Sequence, residues 1–405
     1  MRTHYLIHRI CFLTALALAS PAVLSQAAPP DLKTAVDAAW QRSPQARMLE
    51  ARRNEMQAGH EAARTWIAGA PAIGLSQRTD RWTDQNGVRE SDVSLSAPIW
   101  LPGQKSAREA LAQTSADALE AHIAAARLAI AGEVRERLWA LAAARESLAE
   151  AQNQQNYLEA IAEEVMRRVK AGDLARTDGL LARQEVLAAK AAVSAAQAKV
   201  QEALARYQTL TGQPDSPMPQ PEALAKAMQE PHPRILAARA ALQRSEASLD
   251  AVNRTRSDPP TVGVSYRRER DRPATPASSS VTFGVQIPIG TAARNRPLET
   301  AAQTQIASAS AEVAQTEASV RTDVELAREQ LATAERALEA VATRAALTRE
   351  HTELIEKAFR LGERGLAELL RSQALSHEAD VGERQQRVAV GLAHARLNQA
   401  LGITL

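Results

Sequence analysis

Pro71-Ala72-Ile73-Gly74-Leu75-Ser76 returns later in the chain as Pro260-Thr261-Val262-Gly263-Val264-Ser265, a shift of 260 − 71 = 189. Pro44 and Pro233 keep the same shift. Pro98-Ile99 and Pro288-Ile289 lie 288 − 98 = 190 apart, as do Gly172 and Gly362, and Gly212 and Gly402. Landmarks that hold one register over most of the chain mark an internal duplication.

Both copies of the quoted word open a run of period-two alternation. Ile73 and Leu75 alternate with Gly74 and Ser76, and Val93, Leu95, Ala97 and Ile99 with Ser94, Ser96 and Pro98. In the second half Val262, Val264 and Tyr266 alternate with Gly263 and Ser265. Val281, Phe283, Val285, Ile287 and Ile289 alternate with Thr282, Gly284, Gln286 and Pro288. One face of each run is apolar and the other small or polar, the pattern of a half-covered strand. A soluble hairpin shows the same alternation. Strands of about ten residues, Trp66, Trp82, Trp100 and Tyr266 near their ends, and long polar turns at Arg78–Glu90 and Arg267–Ser279 favour strands that face lipid. Four such strands cannot close on themselves, and open edges are not tolerated in lipid. Copies must therefore pool their strands. Two copies give about eight, a barrel filled by side chains, and three give about twelve, wide enough for a passage.

Around the strands the chain reads as helix. Leu119, Ile123, Ala126, Ile130, Val134, Leu138 and Leu141 step by three or four, and Leu148, Leu158, Ile161, Val165 and Val169 continue the stripe. Each half is expected to hold a first helix (Leu32–Thr65, Glu222–Arg256), a very long one (Gln104–Lys170, Ala292–Arg360) and a third (Thr177–Leu210, Leu366–Leu401). A helix of about 67 residues is roughly 100 Å long at 1.5 Å per residue, and the two shorter ones sum to that length. They can stack end to end beside it. Because many stripe positions are only Ala, each contact buries little area, and laterally packed neighbours are needed.

Only 3% of residues are aromatic, and 49 basic residues nearly balance 47 acidic ones. Nothing in that balance points to nucleic acid. Arg2, His4, His8 and Arg9, the apolar run Ile10–Ala19 and Ser25-Gln26-Ala27 read as a secretory leader cut before Ala28. The run is too short for a membrane anchor. The one cysteine, Cys11, lies inside the leader, so no disulfide is expected. The layout is then a signal peptide over 1–27 and a first repeat over 28–212, with strands at about 72–82 and 88–100 and a tip at about 171–177. A linker over 213–221 leads to a second repeat over 222–405, with strands at about 261–269 and 280–290 and a tip at about 361–366.

The words at the helix breaks are the most specific. Arg168-Val169-Lys170-Ala171-Gly172-Asp173-Leu174-Ala175-Arg176-Thr177-Asp178 and Phe359-Arg360-Leu361-Gly362-Glu363-Arg364-Gly365-Leu366-Ala367-Glu368-Leu369-Leu370 resemble the two tips of the TolC family of outer-membrane efflux proteins. Leu210-Thr211-Gly212 and Leu401-Gly402 are similar to that family's repeat endings. Ser96-Ala97-Pro98-Ile99-Trp100-Leu101-Pro102-Gly103 looks most like its heavy-metal (Czc/Cus-type) members. The resemblance implies a mainly α chain with a small membrane β part. It implies a homotrimer whose twelve-stranded barrel in the outer membrane continues into a periplasmic α-helical barrel. An adaptor and an inner-membrane pump, RND-type, would dock at the tips. Three departures stand out: no lipidated cysteine at the mature N-terminus, no extension beyond the three residues after Gly402, and Arg371 where some members carry a second acid one turn after Glu368.

No nucleotide loop, nucleophile elbow or HExxH occurs. No catalytic residue, metal ligand or cofactor is therefore expected. The candidates for gating and adaptor docking are Gly172, Asp173, Arg176, Thr177, Asp178, Gly362, Glu363, Arg364, Glu368 and Arg371. Glycine supplies the backbone angle of a tight break. Asp178 and Glu368, in the first turn of the next helix, would interact well with its dipole. Arg364 is expected to tie the tips through Asp173, Asp178 or Glu363 of a neighbouring copy. The alternative reading is a periplasmic adaptor, which would have one helical hairpin between β-rich halves rather than two equivalent tips.

Overall fold

A computed structural model of the protein describes residues 31–84, 86–272 and 274–404. The leader read over 1–27 lies outside the described residues. The elements run α1 (Leu32–Arg42), α2 (Pro44–Ala63), β1 (Ala72–Thr79), β2 (Arg89–Pro98), α3 (Gln104–Ala171), α4 (Arg176–Thr211), α5 (Pro233–Arg254), β3 (Thr261–Arg270), β4 (Ser278–Gln286), α6 (Ala292–Arg360) and α7 (Leu366–Ala400).

The first helix of each half differs from its expected span. Helix α1 stops at Arg42, and Ser43 Oγ accepts from Gln45 N at 3.2 Å to start α2 at Pro44. Proline has no N–H to continue a helix but suits the first position of a new one. In the second half the helix begins at Pro233, not Glu222, although 222–230 contains good helix formers. Their polar groups are taken elsewhere. The Glu222 carboxylate accepts from Arg135 and Asn398, and the Ala225 N–H donates to Asn398 Oδ1 at 3.1 Å. Tertiary bonds override propensity here.

Helix α3 is the axis of the chain. Ile130, Ala131, Val134 and Leu138 pack against Ala35, Val36 and Ala39 of α1 and Tyr207 of α4. Leu119 and Ala126 meet Leu49 of α2. Helices α5 and α7 line its other side, and α6 packs outside them. The end-to-end stacking expected from the lengths is realised, with α2 then α4 along one flank and α5 then α7 along the other. The two outer helices keep bare leucines. On α6 Leu326, Leu347 and Leu354 are 55%, 62% and 62% exposed at seven-residue multiples, and on α4 Leu180 and Leu187 are equally bare. The chain exposes 26793 Å², far above the roughly 15,000 Å² of a compact monomer of this size.

Candidate functional site: the strand wall and the helical tips

The four strands form one antiparallel sheet in the order β1-β2-β3-β4, so the two repeats join through β2 and β3. Register turns the alternation of each strand into rows. Ile73, Leu95, Val264 and Phe283 form one row, and Leu75, Val93, Tyr266 and Val281 the next. All eight side chains are exposed, Phe283 by 82%. The opposite face carries Gly74, Ser94, Ser265 and Thr282, then Ser76, Asp92, Arg267 and Ser280. An apolar sheet face open to solvent opposes folding in water, because each large side chain gains about 1.5–3 kcal/mol when covered. Outer strands β1 and β4 also leave backbone groups unpaired among the described residues. Trp82 lies at the loop end of this face and Trp66 at the helix end, both more than four-fifths exposed. Trp100 differs from its expected girdle role: it is half-buried and donates to Thr65 O at 3.0 Å, fixing the strand to α2. Strand β4 ends at Gln286, short of its expected limit near 290, as Pro288 cannot donate to a ladder.

At the far end of the helices two tips share one backbone design. Gly172 and Gly362 have φ of 90° and 80°. The following acid donates its N–H five residues back, Asp173 to Arg168 O at 2.9 Å and Glu363 to Ala358 O at 2.9 Å. Only a residue at ease with positive φ closes a helix in this way. Asp178 and Glu368 fall in the first turns of α4 and α7. Asp173, Arg176, Thr177, Glu363, Arg364 and Arg371 are all exposed. Arg364 pairs with Glu368 of its own chain at 2.9 Å, a surface pair that contributes only about 0.3–0.5 kcal/mol. Asp173, Arg176, Asp178, Glu363 and Arg371 enter no ion pair among the described residues.

What binds the two tips is a residue that sequence reasoning passed over. The Arg168 guanidinium lies 5.1 Å from the Phe359 ring centroid. It donates to Phe359 O at 3.3 Å and to Glu164 at 2.8 Å. A cation from α3 thus caps the negative C-terminal end of α6. Below it Ile161, Val165, Phe359, Leu366 and Leu369 form a shared apolar core. Arg167 and Arg168 hold the Glu164 carboxyl below its ordinary range by hydrogen bonding. Burial, with Glu356 opposite, pushes the Tyr157 hydroxyl well above its ordinary value. The available signal for Arg168 was a basic residue in the last helical turn, four before Gly172. Arg168→Ala should lower tip stability by about 1–2 kcal/mol, read as faster amide exchange at 360–364 with exchange at the sheet unchanged.

Among the described residues no group of His, Cys, Asp or Glu is arranged to hold a metal ion, and no helix is long and apolar enough to cross a membrane.

Residues 35–213 match the model of the outer membrane efflux protein family. No curated protein matches it. Solved structures similar to it include a membrane protein from Pseudomonas aeruginosa, at 21% identity and TM-score 0.73, covering 92% of this chain and 93% of that one. The outer membrane protein VceC of Vibrio cholerae aligns at 15% identity and TM-score 0.73, covering 92% and 96%. The open-state MtrE outer membrane channel of Neisseria gonorrhoeae aligns at 19% identity and TM-score 0.73, covering 92% and 89%. At these identities the likeness is one of fold. It spans both halves of the chain, whereas the family model covers the first.

Proposed function

We propose that this chain is one subunit of a passive outer-membrane exit duct in a tripartite efflux system. The observation that carries the reading is the sheet: four strands, two open edges and one uninterrupted apolar face. Water does not tolerate that face and lipid does not tolerate those edges. Both problems disappear when the β4 edge of one copy pairs with the β1 edge of the next around a closed ring. Three copies give the twelve-stranded barrel of the family, and the bare leucines of α4 and α6 meet in the same ring to extend the wall into the periplasm. The match of residues 35–213 to the outer membrane efflux protein family supports the trimer, its place in the outer membrane, and partnership with an adaptor and an inner-membrane pump. It is a conduit and not an enzyme. The cargo, metal cations or small toxic compounds, is chosen by the pump, and the likeness of the Ser96–Gly103 word to heavy-metal members favours the first.

Two equivalent tips and a continuous four-stranded sheet disfavour the adaptor alternative. Fractionation of cell envelopes should place the protein with the outer membrane at a crosslinked size near three chains. A soluble periplasmic monomer would end the proposal. Phe283→Arg should cost about 2–4 kcal/mol of barrel stability, because it puts a charge on the lipid face, whereas Thr282→Arg on the inner face should cost little. Heat-modifiable mobility on gels distinguishes the two.

The tips are then the periplasmic entrance. Arg364 with Asp173, Asp178 or Glu363 of a neighbouring copy would close it, in exchange for the local Arg364–Glu368 pair. Each pair is weak, but the ring repeats it. Arg364→Ala should raise single-channel conductance in planar bilayers, and an unchanged conductance would refute the gate.

A further inference from the structure

The loop end of the sheet sorts its charges by face. On the inner face, Arg267 bonds Glu90 at 3.0 Å and Asp92 at 3.4 Å, and Arg78 lies 3.8 Å from Glu90. Glu269 shares that face, as the register pairs it with Glu90. All acids of the four strands therefore point inward. The outer face, just beyond the apolar row of Leu75, Val93, Tyr266 and Val281, reads Gln77, Ser91, Arg268 and Ser279. The next row reads Thr79, Arg89 and Arg270.

Arg89 and Arg270 are direct cross-strand partners, and Arg268 is two residues away on the same face. Their Cα atoms fall within about 8 Å of one another. All three side chains are exposed, and none enters an ion pair among the described residues. Like charges placed directly opposite on a sheet are destabilising unless a counter-charge joins them. A neighbouring copy does not supply one: the edge strands it would bring, β1 and β4, add only Gln77, Thr79 and Ser279 to these rows. What borders the cluster is the apolar band itself, so the missing anion sits at the depth of a headgroup.

We propose that Arg89, Arg268 and Arg270 form a binding site for the phosphate groups of outer-leaflet lipids. The inference rests on the membrane-duct reading, which puts the helices in the periplasm and the loops at 80–88 and 271–277 outside. The guanidinium fork suits phosphate oxygens bidentately. The anion relieves the Arg89–Arg270 repulsion and anchors the barrel at a set depth. Three copies place three such clusters around the rim.

The test uses the full-length protein in phosphatidylcholine nanodiscs, titrated with diphosphoryl lipid A or with phosphatidylglycerol, and reads bound lipid by native mass spectrometry. Diphosphoryl lipid A should bind the wild type more tightly than phosphatidylglycerol does. Arg268→Gln with Arg270→Gln should weaken it about 30-fold, from roughly a fivefold factor for each basic residue at a charged membrane surface. Arg89→Gln alone should weaken it several-fold. The inner-face pair Arg78→Gln with Arg267→Gln removes the same charge and should leave binding unchanged. Equal weakening by the inner and outer pairs, or wild-type binding by the outer pair, overturns the proposal. If phosphatidylglycerol binds as tightly as lipid A, the site recognises any anionic headgroup and the assignment to outer-leaflet lipid fails. Protein that enters nanodiscs and conducts but shows no lipid preference sinks this inference alone; protein that does not insert sinks the duct reading first.

Discussion

Replacing Arg135 with alanine should lower the free energy of unfolding by about 3–5 kcal/mol, as expected when one partner of a buried ion pair is removed. Arg135 lies mid-way along α3, and its side chain is 2% exposed. It donates to both oxygens of Glu222 at 2.8 and 2.9 Å and to Gln399 Oε1 at 2.6 Å. Without it the Glu222 carboxylate, itself 13% exposed, is left with one neutral donor, Asn398. The cost is that of an uncompensated charge rather than of a lost contact. Arg135→Met with Glu222→Leu removes both charges and should recover most of the loss. Thermal unfolding of the detergent-solubilised protein measures the stability. Limited proteolysis should show new cleavage within 213–232, since Arg135 is one of the ties between that irregular segment and the helices, beside Asn398. A loss below about 1 kcal/mol for the single variant would show that Glu222 escapes to water.

Trp139→Ala is the second large effect, also about 3–5 kcal/mol, from lost transfer energy and the cavity left behind. The indole is 6% exposed and joins Ala142 of α3 to Ala395 of α7. It reaches the backbone of α7 because position 391 has no side chain. A Cβ built on Gly391 would stand 2.0 Å from Trp139 Cη2. Gly391→Ala should therefore be costly in the wild type and almost free when Trp139 is already alanine. That non-additivity separates a lock-and-socket contact from two independent defects. Simple additivity in a double-mutant cycle of thermal stability would reject it. The contact matters because α3 belongs to the first repeat and α7 to the second, so it holds the halves together well away from the sheet.

Much of the architecture was legible in the residues. Alternation at 73–76, 93–99, 262–266 and 281–289 placed four strands, and the register makes their apolar positions continuous across all four. Gly172 and Gly362 marked both tips. The expectation failed at the start of each repeat. Pro44 read as part of one helix begins a second, and 222–232, which local propensity makes helical, is irregular. At the candidate site the glycines and first-turn acids stood out, but not the partner of Arg364 nor the role of Arg168.

Whatever repeats along the chain was set by the sequence alone: the duplication, the two periodicities, the lengths that let short helices stack beside long ones, and a sheet whose apolar face has no cover of its own. These are consequences of backbone geometry, which acts on neighbouring residues and leaves a periodic trace. Only the tertiary structure decided who meets whom. Arg135 bonds residues 87 and 264 positions away. Arg168 caps a helix of the other repeat, Trp139 fits a glycine of α7, and charges on β2 and β3 divide between faces through pairing across the repeats. Such pairings join single side chains over long separations, so no local pattern records them.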